Sequence, residues 1–548
     1  MESNDPYLNH WADQAAARTL AAHPEAQVIT VAAGITPSGV VHVGNFREVM
    51  TVDLVARALR DRGAAVRFIY SWDDFDVFRK VPGGMPQPEL LATHLGKSIV
   101  DVPDPFGEHD SYASHHIAQF ERNLPPLGIR PEFIRQSRRY RAGDYAEGIH
   151  KALQGAAKIR EILNRVREET TANTRLDDEW LPLYGFCDEC GRDKLGFAVT
   201  GEWTVRYTCA RCGHTREVDL REGGNLKLPW RIDWPMRWAE EGVCFEPGGK
   251  DHSTAGGSFD TAKDIVREVY GGSAPEYVGY DFVRVKGRAG KISSSKGDVV
   301  TVLDCLEVFE PEVLRWIFVS YRPNTEFQIS FDLDVVTLYE AYDRVRRVAY
   351  GLEEAKDEHK RLVAQRALDL SSVQPHRILP GEAMPFIPGF RHLSMILQIF
   401  EGDLERTVEH YVTTGQLTSD TERERCHQRA LCVRNWLEKF APDEFRYTIR
   451  KAAKTRSLSA DEGTCLGRLV ATLQANPDID EDGLVPTMKT LTEGTPLDNK
   501  SFLPVVYDLL IDRDKGPKLT TLVTVMGTRR ALELLTPSLS AVTERASS

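Results

Sequence analysis

PSGVVHVGN, from Pro37 to Asn45, follows the apolar run Val28 to Ala33 and the turn Gly34-Ile35-Thr36, and it opens an amphipathic stretch from His42 to Leu59. A strand that feeds a glycine-rich turn and then a helix is the first unit of a nucleotide-binding α/β fold, because the helix N-terminus offers unpaired N–H groups to phosphate. Neither a Walker pattern nor G-x-G-x-x-G opens this helix. His42 and Asn45, three residues apart, project from one face of the first turn, and both can donate hydrogen bonds to a triphosphate. Pro37, Ser38, Gly39 and Gly44 complete the loop.

A second loop, KISSSKG from Lys291 to Gly297, follows the β-patterned stretch Tyr277 to Val285. Lys291 and Lys296 are flexible cationic donors, and Ser293, Ser294 and Ser295 shape the turn between them. Such donors suit a phosphate whose leaving oxygens gain charge, where stabilisation is needed mainly in the transition state. In this order the two loops imply one ATP site.

Outward from these loops, apolar strand-like runs (Val28 to Ala33, Val66 to Ser71, Tyr277 to Val285) alternate with helical patterns (Asn45 to Leu59, Tyr145 to Arg167). The expected fold is α/β: a Rossmann-like, mostly parallel sheet over residues 1–310, interrupted by a cysteine-bearing insertion at 171–226. Helical periodicity then dominates, as in Leu333 to Leu352 and His392 to Tyr411, giving a connecting helical domain at 311–372 and an all-α C-terminal bundle at 391–548. Four prolines between Val373 and Gly389 mark a linker at 373–390, and Gly516-Pro517 is expected to open a final helix through Leu535.

The insertion carries Cys187-Asp188-Glu189-Cys190 and Cys209-Ala210-Arg211-Cys212, eighteen residues apart, with Gly191 and Gly213 after the pairs. Two such knuckles fit a tetrahedral, structural Zn²⁺, since four thiolates leave no position for water. The remaining five of nine cysteines lack partners at ligand spacing and read as ordinary thiols. No 18-residue apolar run exists and the N-terminus is polar, so a cytoplasmic protein without a membrane span is expected. The net charge of −12 is a whole-chain average. Between Arg423 and Arg456, ten Lys/Arg face four Asp/Glu, with aromatic residues interleaved. Arg434, Trp436, Arg446, Arg450 and Lys451 could grip phosphates and stack on single-stranded bases. Alone, the same pattern also describes a helix pair with a solvated basic face and a buried aromatic seam.

HVGN resembles the HIGH element of class I aminoacyl-tRNA synthetases and KISSS their KMSKS element. More closely, GITPSGVVHVGNFREV, DWPMRWA (Asp233 to Ala239), GKDHSTAGGSFD (Gly249 to Asp260) and KISSSKG resemble the class I lysyl-tRNA synthetase family, strongly over about the first 330 residues. Asn45 replaces the second histidine of the generic pattern, as in that family; Ser294 stands where the generic second lysine would be, so Lys296 is assigned to replace it.

The resemblance implies formation of lysyl-adenylate from L-lysine and ATP with Mg²⁺, then transfer to tRNA(Lys), whose anticodon the C-terminal helices would bind. His42 and Asn45 would hold phosphates, and Lys291 and Lys296 the transition state. An ammonium on an apolar stem asks for a carboxylate and aromatic walls. Candidates are Gly34, Thr36, Trp230, Asp233, Trp234, Asp251, His252 and Tyr280, with the carboxylate left open. The family also implies a second metal loop at Asp104, Glu108, His109 and His115, with Glu108 in place of a cysteine; its plain reading is a loop of acids and histidines bonded to one another. A glutamyl or cysteinyl enzyme and a catalytically silent tRNA-binding paralogue are the alternatives; Arg237 in DWPMRWA keeps an acidic substrate open. Oligomeric state is not fixed by sequence, and a monomer is the default.

Overall fold

A computed structural model of the chain describes residues 10–169, 175–253, 257–287 and 299–546. Lys291, Ser293, Ser294, Ser295 and Lys296 therefore lie outside the described residues. The chain forms two compact units: Met1–Leu306, Pro311–Ile329 and Val345–Glu382 in the first, Glu307–Glu310, Ser330–Arg344 and Ala383–Ser548 in the second.

The first unit is built on a five-stranded sheet. Strands β1 (Ile29–Ile35), β2 (Val66–Trp72) and β3 (Glu132–Arg135) precede the insertion, where β4 (Tyr184–Gly185), β5 (Leu195–Val199), β6 (Thr204–Cys209), β7 (Thr215–Asp219) and β8 (Leu226–Lys227) lie; β9 (Val243–Gly249) and β10 (Glu276–Tyr280) follow. The order is β10-β9-β1-β2-β3, and every pairing in this sheet is parallel. The strand sequence reverses direction between β1 and β9, which opens a crevice at their C-terminal ends. Residues 29–33 of β1 are buried, as a strand covered on both faces requires.

Helix α1 (Trp11–Ala22) packs on α2 (Val43–Asp61). Most of α2 is buried, including Arg47, Asp53 and Arg57. These charges are paired. Asp53 Oδ2 accepts from Arg57 Nε at 2.8 Å and from Arg315 at 2.7 Å, while Arg315 also donates to the carbonyls of Leu127 and Leu370. Removing one partner of such a set strands a buried charge, at about 3–5 kcal/mol. In the insertion, β5, β6 and β7 form an antiparallel sheet, and β8 pairs antiparallel with β4.

Several sequence patterns break where the backbone turns. Tyr277 to Val285 is two strands: after β10 the Asp281 N–H donates to Pro323 O, and β11 (Val283–Val285) pairs with β12 (Phe327–Ile329) instead. Tyr145 to Arg167 is two helices, Ala146–Gln154 and Ala156–Glu169, parted at Gly155. The second unit is helical. Its core includes Leu466, Leu469, Val506, Leu510, Leu522 and Leu534. The helix expected from Pro517 is instead Leu519–Met526 and Thr528–Ala546, because Gly527 takes φ +88° between them. No helix or strand occupies residues 373–389.

Candidate active site

The first motif folds onto itself before it meets any ligand. His42 is the N-cap of α2: its Nδ1 accepts from Asn45 N–H at 3.3 Å, and Asn45 Oδ1 accepts from the His42 N–H at 3.2 Å. This reciprocal capping box occupies two helix-end donors. It also fixes the imidazole: with Nδ1 accepting, the proton of the neutral ring sits on Nε2. Gly44 has to be glycine, since a Cβ there would stand 2.9 Å from the His42 ring. The exit of the second motif is tied to the same place, because Val43 N–H donates to Val300 O and His42 bridges to Thr301.

A cavity of about 510 Å³ opens here, at the C-terminal ends of β1, β9 and β10. Gly34, Thr36, Ser38, Gly39, His42, Gly44 and Asn45 line one side; Trp230, Asp251, His252, Tyr280 and Val283 line the other. Pro37 is not among the wall residues; it lies inside the turn closed by Ser38 N–H to Thr36 O. The principal residue missed in the sequence is Glu48. Its Oε1 accepts from Gly34 N–H at 2.9 Å and its Oε2 from Tyr280 OH at 2.6 Å, so β1, α2 and β10 all converge on one carboxylate. Burial lifts its pKa to about 7 against the pull of those two donors. Gly34 cannot be exchanged, because a Cβ would lie 2.8 Å from Ser71 O. The signal for Glu48 was its spacing: it follows Asn45 by three residues on the same helix face.

A smaller chamber of about 80 Å³ adjoins, sharing Gly34, Glu48, Trp230 and His252 and adding Trp234, Arg237 and Glu246. Trp230 stacks on Trp234 with ring centroids 5.1 Å apart, and His252 lies 5.0 Å from Trp230. Trp238 Nε1 donates to Glu246 at 2.6 Å. Asp233 is a correction: it is 1% exposed, accepts from Tyr140 OH, pairs with Arg237 at 3.3 Å, and is not part of either wall. Arg237 also holds Asp73 at 2.9 Å. It is the one arginine among the described residues of these walls, and its two acid partners take it away from an acidic substrate.

The four cysteines come together. Their sulfurs lie within 4.8 Å of one another, with Cys187 to Cys212 at 3.6 Å and Cys190 to Cys209 at 3.7 Å. Four sulfurs about 2.3 Å from a tetrahedral zinc would be roughly 3.8 Å apart. Gly191 (φ +70°) and Gly213 (φ +75°) close the two knuckles, each donating to the carbonyl of the first cysteine. In the other loop, ligand atoms of Glu108, His109 and His115 gather within 4.8 Å. Asp104 reaches the cluster only through His115, and its oxygens also accept the backbone N–H groups of Phe106, Glu108 and His109; these bonds, with His115, outweigh desolvation to hold its pKa below the usual value. His115 Nδ1 is buried and faces two carboxylates, Asp104 Oδ2 at 3.4 Å and Glu108 Oε2 at 3.5 Å.

In the second unit, Arg434, Arg446, Arg450 and Lys451 line one cavity of about 950 Å³ together with Tyr447. Trp436 is a correction. It is fully buried, donates to Phe331 O at 3.0 Å and packs edge-on to Phe390 and Phe445, so it belongs to the aromatic seam and not to a stacking surface.

The sequence profile of the family described as "tRNA synthetases class I (K)" matches residues 9–373. The lysine–tRNA ligase of Borrelia garinii subsp. bavariensis is 44% identical over 524 residues, 95% of this chain and 98% of that protein. The lysine–tRNA ligase of Pyrococcus furiosus is 38% identical over 520 residues, 94% and 97% of the two. Among solved structures, a glutamate tRNA ligase from Elizabethkingia meningosepticum covers 93% of this chain and 99% of its own at 14% identity, with a TM-score of 0.45. No described helix is long and apolar enough to cross a membrane.

Proposed function

The chain belongs to the class I tRNA synthetase family, and from that premise we propose that it is a lysine–tRNA ligase, which joins L-lysine to ATP as lysyl-adenylate and passes the lysyl group to tRNA(Lys) in the cytoplasm. One observation carries the reading: a single cavity joins the capped N-terminus of α2 to a half-buried carboxylate, Glu48, beside stacked indoles. One end suits phosphate and the other an ammonium.

The substrate ammonium lies against Glu48, with Tyr280 and Gly34 fixing the carboxylate and Trp230 and Trp234 supplying aromatic walls. Held there, lysine directs its α-carboxylate to the phosphate end. A carboxylate oxygen attacks the α-phosphorus, the bond to the bridging oxygen of the β-phosphate breaks, and pyrophosphate leaves with its electron pair. Positioning supplies much of this rate, since no protein nucleophile is needed. His42 donates from Nε2 and Asn45 from its amide, Ser38, Gly39 and Gly44 let phosphate approach the backbone, and Asp251 and His252 line the opposite wall. Lys291 and Lys296 meet the charge growing on the departing pyrophosphate, with Ser293, Ser294 and Ser295 shaping their loop. Mg²⁺ arrives with ATP. In the second step the terminal ribose hydroxyl attacks the acyl carbon and AMP leaves.

Cys187, Cys190, Cys209 and Cys212 would hold a structural zinc ion. Glu108, His109 and His115, with Asp104 beside His115, would hold a second divalent cation. Arg434, Arg446, Arg450 and Lys451 contact the tRNA backbone in the anticodon region.

ATP–pyrophosphate exchange across all twenty amino acids, without tRNA and then with total tRNA, tests the reading. Lysine alone is expected to support exchange. Exchange with another amino acid, or with none under either condition, overturns it.

A further inference from the structure

Lys227 lies on β8, the strand that closes the insertion, and is 3% exposed. Its Nζ donates to Asp76 Oδ1 at 2.7 Å and to Phe75 O at 3.3 Å, and it sits 6.0 Å from the Phe75 ring centroid and 5.8 Å from that of Tyr140. A carboxylate, a carbonyl and two aromatic rings are the surroundings an ammonium ion selects. The chain thus builds an ammonium site and fills it with its own lysine. This site borders the substrate cavity: Asp76 is a wall residue, and its Oδ2 accepts from Thr36 Oγ1 at 2.8 Å, which is itself a wall residue.

Five carboxylates line that cavity; Asp251 is exposed to solvent and Asp281 is paired with Lys250 at 2.9 Å, which leaves Glu48, Asp73 and Asp76 as the more enclosed ones that could attract a substrate ammonium. Asp73 is paired with Arg237 at 2.9 Å and Asp76 with Lys227. Glu48 has hydrogen-bond donors around it and no cation bonded to it in the distances above. Resting on the lysine-binding reading of the cavity, we infer that Lys227 is a positioning residue of the amino-acid site: it occupies Asp76 so that the substrate ammonium is directed to Glu48, and it holds Asp76 in the geometry that orients the Thr36 hydroxyl. Asp76 titrates low in keeping with this: against the burial that would raise it stand Lys227, the Thr36 hydroxyl and Arg237 together. With the cation gone, a half-buried, unpaired anion would stand beside the substrate path as a competing ammonium site, and Thr36 would lose its fixed acceptor.

The test is Lys227→Ala in the full-length protein, with KM for lysine and for ATP measured by pyrophosphate exchange. Lysine KM is expected to rise at least ten-fold, with ATP KM within about three-fold of wild type. n-Propylammonium replaces the atoms removed. At tens of millimolar it should lower the lysine KM of the variant, while 1-propanol should not, and wild type should show no activation by either. A variant that melts with wild type but shows both KM values unchanged, both raised alike, or no response to propylammonium overturns the inference. If Lys227→Ala does not fold, Lys227→Met keeps the apolar stem and carries the same test: a selective rise in lysine KM supports the role, and its absence in the folded protein overturns it. Wild type without lysine-dependent exchange would instead sink the underlying functional reading.

Discussion

Two cavities among the described residues, one in each unit, differ in how their walls carry charge. The one at the strand ends of the first unit is walled by Glu48, Asp73 and Asp76, with burial raising Glu48 to about 7 and Asp73 to about 6. The one in the second unit is walled by Arg434, Arg446, Arg450 and Lys451, which are half-buried or exposed, together with Glu401, Glu438 and Asp512; Arg446 shares its charge with Asp443, and Arg450 with Asp512. A small cation is recognised by a few desolvated charges, each of which counts heavily. A polyanion is recognised by many solvated ones, each of which counts little. Single substitutions should therefore be severe in the first cavity and mild in the second.

Glu48→Gln is the most direct attempt to break that contrast. The shape is kept and the charge removed, so lysine kcat/KM should fall by about 10²–10³, the cost of an unpaired buried charge, with ATP KM little changed. A loss under ten-fold would mean that the ammonium is held elsewhere. Cys209→Ser asks how far the acidic cavity depends on the insertion, whose Cys187 and Cys209 share a core with Tyr140, Ile149 and Met236. Bound zinc should drop in metal analysis and Tm should fall by about 5 °C or more; an unchanged melt with full metal content would refute the ligand set. Proton concentration sharpens the contrast without mutation. Glu48 attracts an ammonium only when ionised, so this attraction is complete above about pH 8 and is lost as pH falls through its pKa of about 7. Lysine KM should rise roughly ten-fold between pH 8 and pH 6, while tRNA KM stays flat; a parallel change in both would place the titration outside the cavity. The smallest effect is expected for exposed Lys451. Lys451→Ala should raise tRNA KM about two- to three-fold at low salt, with the log–log salt slope shallower by about 0.7–0.9. A hundred-fold loss there would erase the distinction between the cavities.

The first loop was legible because its parts are local: an apolar run, a glycine turn and a polar helix start sit within eighteen residues, Val28 to Asn45. The thiolate cluster was legible for the same reason, spacing alone fixing which four sulfurs can meet. Glu48 was not. An acid inside an amphipathic helix reads as solvated surface, and only the arrival of β10, more than 220 residues later, gives it Tyr280 as a partner. Asp233 failed in the opposite way, since proximity to Trp230 and Trp234 along the chain said nothing of Tyr140 and Arg237, which claim it. Trp436 shows the ambiguity of basic, aromatic-rich runs: Arg434, two residues before it and so about 200° away around the helix, lines the cavity while the indole turns inward. The strand and helix breaks at Asp281, Gly155 and Gly527 escaped because hydrophobic periodicity continues across a change of direction.

Within the first unit, β4 (Tyr184–Gly185) and β8 (Leu226–Lys227) form the neck of the insertion and are paired to each other. Ends that meet in this way make the excursion a closed detour, so its contour can change at the far tip while the register of Lys227 is set at the neck. Loop-closure entropy grows only by about 0.6 kcal/mol for each doubling of a flexible loop. The turn between β5 and β6, with Thr200, Gly201 and Glu202 all exposed, is thus the natural place to splice in an affinity tag or a fluorophore-bearing peptide without disturbing the catalytic crevice.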